Sequence, residues 1–267
     1  MSCLFNSDIH DWPSWGKVFQ SIEAFEPLIK HIFRLHNLPF STISKLKAGT
    51  NAVFKVGAYV IKIFAPKESG MDTDYDYKTE QFGMERAMRL NISIPKVLAS
   101  GQINDKYVFK YYIMEYIDGS PFDELEKSFT DKEKYEFAGQ LRVITDKLNT
   151  PCESFNNINV FEQARASKYW VAMPESFQKQ RLEYLENIEP EPLVYVHGDL
   201  HADNILIDKA KKLYIIDFAD ALLAPHKYEL AALTGLFEFE KPYMEAYFST
   251  YDPAELAKQF FEGILLH

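Results

Sequence analysis

Cysteine is nearly missing from this sequence: 267 residues contain two, Cys3 and Cys152. They stand far apart with no metal-like spacing, which fits a reducing compartment where thiols stay free. Long apolar runs are missing too. None approaches the ~18 residues a membrane-spanning helix needs. The opening stretch MSCLFNSDIHDWPSW lacks a basic segment followed by an apolar one, so it does not read as a secretory signal. Together these absences lead us to expect a cytoplasmic protein with no membrane partner. Net positive charge is also lacking, with 29 Lys and Arg against 39 Asp and Glu for a net −10. A nucleic-acid partner would call for a basic footprint, so none is expected.

What is present supports a substantial core. Hydrophobic residues make up 47 % and aromatics 15 % of the chain, which sets disorder aside. The length suits two lobes better than one core. A turn-like Asp118-Gly119-Ser120-Pro121 follows an apolar strand and marks the expected boundary, giving lobes at 1–117 and 118–267. The first has 14 basic and 12 acidic residues, the second 15 and 27. This asymmetry suits an anionic ligand on the first part and a cationic one on the second.

Periodicity divides the chain further. Residues 15–36 carry Phe19, Ile22, Phe25, Ile29, Ile32 and Phe33 at helical spacing, with Pro27 as an expected break or kink. Residues 52–56 and 59–64 read as strands around the turn pair Gly57-Ala58, a hairpin. The polar stretch 66–79 reads as a loop and 80–90 as a helix. Residues 107–117 read as a further strand. Residues 122–188 are mostly helical in pattern. Short strands follow at 193–196, 204–207 and 213–216, then a helical tail from about 227 with Pro242 and Pro253 as breaks. Regular βαβ alternation is missing, so neither a Rossmann sheet nor a barrel is expected. The fold class is α+β.

The chemistry concentrates in His197-Gly198-Asp199-Leu200-His201-Ala202-Asp203-Asn204, with Asp217-Phe218 thirteen residues after Asn204. Asp199 follows an apolar strand on a loop, where a carboxylate can reach a substrate. The hairpin from Ile205 to Ile216 brings Asp217 back beside Asn204. One amide and one carboxylate are hard oxygen donors of the kind Mg²⁺ on phosphates takes. A second carboxylate left off the metal can orient a hydroxyl or accept its proton. His197 reads as a hydrogen-bonding loop residue. His201 and Asp203 are open between substrate contact and loop capping. Zinc on His197 and His201 requires both on one helix, and the strand into His197 followed by Gly198 argues against that.

In the first lobe, Lys62 lies on a strand between apolar neighbours and needs a partner, because an unpaired buried ammonium is costly. Nucleotide phosphates and a helical carboxylate, Glu85 or Glu80, are the candidates.

These blocks, in this order, resemble the aminoglycoside phosphotransferase family and its relatives, small-molecule kinases of the two-lobed protein-kinase-like fold. The resemblance covers roughly residues 45–235. It implies an antiparallel-sheet N-lobe, a larger helical C-lobe, and transfer of the γ-phosphoryl of ATP or GTP to a hydroxyl of a small, cationic acceptor. It implies that Asp199 is the catalytic aspartate, that Asn204 and Asp217 hold Mg²⁺, and that Glu85 holds Lys62. Lys47-Ala48-Gly49-Thr50-Asn51-Ala52 falls where such kinases cover the phosphates. Its single glycine matches neither a Walker loop nor a protein-kinase glycine-rich loop. Ile113–Gly119 resembles the hinge, with the Glu115 carbonyl and the Ile117 amide toward the base. Glu229 stands where relatives often have aspartate, in a structural role. Protein kinases carry Arg after the loop histidine and Gly after Asp-Phe. Gly198, Ala219 and the lack of a later Ala-Pro-Glu favour the small-molecule branch. Glu238, Glu240 and Glu245 are candidates for acceptor ammonium groups. Two rivals stand beside this reading: a catalytically idle nucleotide-binding module, and a metal-dependent hydrolase built on His197, Asp199, His201 and Asp203.

Overall fold

The computed structural model describes residues 3–47 and 49–267. Ala48 of the expected phosphate-covering segment lies outside them. The chain forms two compact units. One comprises the chain up to Lys78 with Pro95–Asp118, the other Thr79–Ile94 with Gly119–His267.

In the first unit, α1 (Trp12–Val18) and α2 (Ile22–Leu35) precede β1 (Ile43–Lys45), β2 (Ala52–Val56) and β3 (Tyr59–Ile63). With β4 (Val97–Asn104) and β5 (Val108–Glu115), these strands form an antiparallel sheet in the order β1-β2-β3-β5-β4. The hairpin expected at Gly57-Ala58 is there, and Gly57 takes φ 63°, a conformation glycine adopts without penalty. Phe25, Leu28, Ile29, Ile32 and Phe33 of α2 bury against Phe54, Val56, Ile61, Ile63 and Ile113 of the sheet. The helical break does not fall at Pro27, which sits inside α2. It falls before Ser21, whose hydroxyl accepts the Ala24 N–H at 3.2 Å and starts a new helix.

The segment 66–79 is not a loop. A single turn at Lys67–Ser69 leads into α3 (Thr73–Arg89). Asp72 starts that helix, its Oδ1 accepting the Tyr75 N–H at 3.1 Å. The second half of α3, from Thr79 on, belongs to the second unit. Gly83 presses on Phe218 and Tyr195 so closely that a Cβ there would collide with both. Phe82 stacks on Phe155 at 4.3 Å, and Arg86 donates to the Leu148 and Thr150 carbonyls at 3.1 and 2.9 Å. Residues 79–94, expected within 1–117, therefore go with the second unit.

That unit adds β6 (Gly119–Pro121), α4 (Phe122–Leu125), α5 (Asp131–Leu148), α6 (Val160–Ala166), α7 (Glu175–Glu186), β7 (Leu193–Val196), β8 (Ile205–Asp208), β9 (Leu213–Ile215), β10 (Leu222–Pro225), α8 (Lys227–Phe237), α9 (Lys241–Phe248) and α10 (Pro253–Leu266). The strands expected near 193–196, 204–207 and 213–216 are β7, β8 and β9. β6 pairs with β8, and β7 with β10; neither β6 nor β10 was foreseen, because Gly-Ser-Pro and Leu-Leu-Ala-Pro carry no β-branched or aromatic residue and end in proline. Pro242 and Pro253 open α9 and α10 rather than break them, since the first turn of a helix needs no proline N–H. No helix among the described residues is long and apolar enough to cross a membrane.

Candidate active site

The loop between β7 and β8 is tied at nearly every residue. His197 is fully buried, and its backbone N–H donates to Glu229 Oε2 at 2.6 Å. Its ring is held on both sides: Nε2–H donates to the Ile216 carbonyl at 3.1 Å, and Nδ1 accepts the Asp199 N–H at 3.4 Å. Burial pushes the imidazole pKa down to about 4, despite the nearby charges of Asp217 and Asp199. His197 is thus a neutral pillar with both nitrogens occupied, which removes it as a zinc ligand. Gly198 follows at φ 82°, with Asp220 and Leu222 crowding the place a side chain would take.

Asp199 is oriented from two directions. Asn204 Nδ2 donates to its Oδ2 at 2.9 Å and to its carbonyl at 2.8 Å. His201 Nε2 lies 3.2 Å from the same Oδ2. His201 Nδ1 accepts the Asp203 N–H at 3.2 Å and so caps the turn 202–204. The contact with the Asp199 carboxylate is the main reason the His201 pKa is raised. His201 therefore does loop work, and Asp203 joins it through its backbone.

Because Asn204 uses Nδ2 toward Asp199, its Oδ1 remains the atom suited to a cation. Asp217 is brought alongside by the backbone. β8 pairs with β9 at Ile205↔Ile215, and the Ile216 N–H donates to the Asn204 carbonyl at 3.1 Å. Asp217 itself takes φ 64°, a strained setting for a residue with a Cβ and one that collects at functional sites. An amide oxygen and a carboxylate side by side suit a hard divalent cation that fills its other positions from phosphates and water. Among the described residues no three His, Cys, Asp or Glu side chains are grouped to hold a metal by themselves.

Beneath the loop sits Glu229 of α8, buried with Oε2 on the His197 N–H and on Asn149 Nδ2 at 3.2 Å. Burial raises its pKa to about 7, and the two backbone and one side-chain hydrogen bonds only partly offset this. The sequence named Glu229 as structural. Asn149, at the end of α5, was not anticipated, and no motif marks it.

The first unit holds the other candidates. Lys62 is 5 % exposed on β3, opposite Val53 and Tyr112, with its ammonium 5.2 Å from the centre of the Phe64 ring. Gly49 and Thr50 are exposed, whereas Asn51 is turned inward, its Oδ1 accepting the Ala65 N–H at 3.0 Å. Asn51 thus braces the loop from inside. Glu115 ends β5, with Oε1 accepting the Lys96 N–H at 3.0 Å, and Ile117 follows it outside any strand. On α3 the expectation for Glu85 runs into the helix register. Glu85 faces solvent and accepts from Gln81 at 2.9 Å, while Glu80 is 2 % exposed. Of the acceptor candidates, Glu240 pairs with Lys134 and Glu245 with Lys241.

A family model described as the APH phosphotransferase enzyme family matches residues 42–261. The chain belongs to that family. No curated protein matches this phosphotransferase by sequence. Among solved structures, the GDP and kanamycin complex of APH(2")-IIIa aligns at 17 % identity, 90 % of this chain, 89 % of that one and a TM-score of 0.67. The GDP complex of wild-type aminoglycoside 2'-phosphotransferase-IIIa aligns at 17 % identity over 92 % and 88 %, with a TM-score of 0.66. A choline/ethanolamine kinase family protein from Mesorhizobium loti aligns at 18 % identity over 85 % and 77 %, with a TM-score of 0.59. At these identities the likeness concerns the fold, and the α+β, kinase-like fold of this phosphotransferase is the one they share.

Proposed function

We propose that this phosphotransferase moves the γ-phosphoryl of ATP or GTP to a hydroxyl of a small, cationic acceptor resembling an aminoglycoside. The observation that carries the reading is the Asp199 carboxylate, fixed by Asn204 Nδ2 and His201 Nε2 on a loop that Glu229 anchors. A carboxylate so held serves to orient an acceptor hydroxyl for in-line attack and to take up its proton. Asn204 and Asp217 would hold Mg²⁺, which when bound supplies charge neutralisation on the phosphates. Lys62 serves the same nucleotide as a phosphate-binding cation. Glu85, the carboxylate that the resemblance assigns to Lys62, faces solvent, and Glu80 is the buried acid of α3. The Glu115 carbonyl and Ile117 N–H address the base. The excess of acid after residue 117 supports a cationic acceptor. The choline/ethanolamine kinase fold relative keeps choline-like amines in the set to be tried.

The test is a coupled assay of nucleotide consumption with Mg²⁺, ATP or GTP, and a panel of aminoglycosides, choline and amino sugars. One acceptor should stimulate turnover, and Asp199→Ala should lower that turnover by about 10²–10⁴-fold, the range of a lost acid–base group. Nucleotide affinity should stay within about threefold, since Asp199 serves the acceptor. Unchanged turnover in Asp199→Ala would remove Asp199 from the chemistry. In the same assay Glu85→Gln should leave the nucleotide KM unaltered, because Glu85 faces solvent; a raised KM would restore the role that the resemblance assigns to it.

A further inference from the structure

The family match begins at residue 42, and the helices before it have no part in the site described so far. Yet α1 reaches the phosphate-covering segment. Trp15 is fully buried, and its indole Nε1–H donates to the Thr50 carbonyl at 2.9 Å. A buried tryptophan needs an acceptor for this N–H. Trp15 uses the backbone of a residue that is itself exposed. The next residue, Asn51, is fastened on the same side through Oδ1 to the Ala65 N–H. Two bonds from beneath, 35 and 14 residues distant in sequence, thus hold consecutive residues of a segment with a single glycine.

Trp15 is itself firmly seated. Phe25 meets it edge-on at 5.9 Å and Phe19 lies at 6.0 Å. α1 begins with a reciprocal cap in which Asp11 accepts the Ser14 N–H at 2.8 Å. The indole is therefore a fixed donor against which a loop can be set.

We propose that Trp15 is a positioning residue of the nucleotide site: by fixing the Thr50 carbonyl it sets the Thr50–Asn51 peptide plane, and with it the run of backbone from Gly49, toward the phosphates, so α1 belongs functionally to that site. The inference rests on the reading of residues 47–52 as the phosphate-covering segment. Glycine-rich loops reach phosphates by backbone freedom. Here a side chain from outside the loop supplies the order that glycine does not.

The test compares Trp15→Phe, which keeps an aromatic ring and removes the donor, with Phe33→Leu, which loosens the same core away from the loop. Binding of a fluorescent ATP analogue with Mg²⁺ and thermal unfolding are measured for both. Trp15→Phe should weaken nucleotide binding about three- to tenfold, the range carried by one neutral hydrogen bond. Phe33→Leu should lower the melting temperature and leave binding unchanged. Equal affinity in Trp15→Phe and the wild type overturns the proposal while leaving the nucleotide reading intact. A wild type that binds no nucleotide overturns both. As a check independent of the stability of Trp15→Phe, the double variant Trp12→Phe/Trp170→Phe leaves Trp15 as the sole indole. Its emission should shift on adding nucleotide, and a flat response counts against the proposal.

Discussion

The loop from His197 to Asn204 and the segment from Gly49 to Asn51 are built on opposite plans. From His197 to Asn204 the loop is bonded to Glu229 and Ile216 at its ends and to itself in between, and Gly198 has no room for a methyl group. From Gly49 to Asn51 the Thr50 carbonyl and the Asn51 side chain are fastened to Trp15 and Ala65, and a Cβ on Gly49 would meet nothing within 4 Å. In the function proposed above, rigidity serves the direction of one carboxylate, and the space at Gly49 serves to admit a polyphosphate.

Substitutions sharpen this contrast. Gly198→Ala should have the largest effect, because the new Cβ meets the Asp220 backbone and φ is positive. A penalty on the order of 2–4 kcal/mol is expected, seen as a melting temperature lower by roughly 5–15 °C. A variant as stable as the wild type would show that the loop yields.

Next comes Glu229→Gln. The native carboxyl titrates at about 7, raised mainly by burial. A raised carboxyl pKa means the folded chain holds a proton that the unfolded chain has already released. Stability from this group therefore declines as pH rises from the ordinary carboxylate range to about 7, and is level above. Glutamine has no charge to bury, so the variant should gain on the wild type between pH 5 and pH 8 by roughly 1–3 kcal/mol. Melting curves at both pH values decide it, and a difference that does not change with pH would refute the charged-burial account. The smallest effect belongs to Gly49→Ala, expected to shift stability by less than about 0.5 kcal/mol. A large loss there would erase the contrast.

Much of the second unit's site could be read directly, because its residues are adjacent or joined by one short hairpin. His197, Asp199, Asn204 and Asp217 needed only the β8–β9 turn to be seen as one group. Glu80 was harder. Its burial depends on helical phase, and α3 begins seven residues before the expected start at 80, at an Asp72 cap that the polar run 66–79 concealed. The stripe Glu80, Gly83, Met84 and Ala87 did carry the phase, since all four are buried while Glu85 is exposed. The inward turn of Asn51 and the bond from Trp15 had no sequence signal, because both are contacts between segments that periodicity does not link. Strands β6 and β10 were lost for a different reason: unlike the equally short β7, β8 and β9, they carry no β-branched or aromatic residue and end in proline.

The packing of Gly83 against Phe218 and Tyr195 bears on how such a molecule can be divided or inherited. The second unit includes sixteen residues that the sequence places in the middle of the first, Thr79–Ile94. A gene fragment starting after residue 117 would encode the loop from His197 to Asn204 without Phe82, Gly83 and Arg86, leaving Phe155, Phe218 and the end of α5 without their cover. Neither unit is a transplantable cassette; exchange between relatives has to carry both strands of the interleaved chain at once.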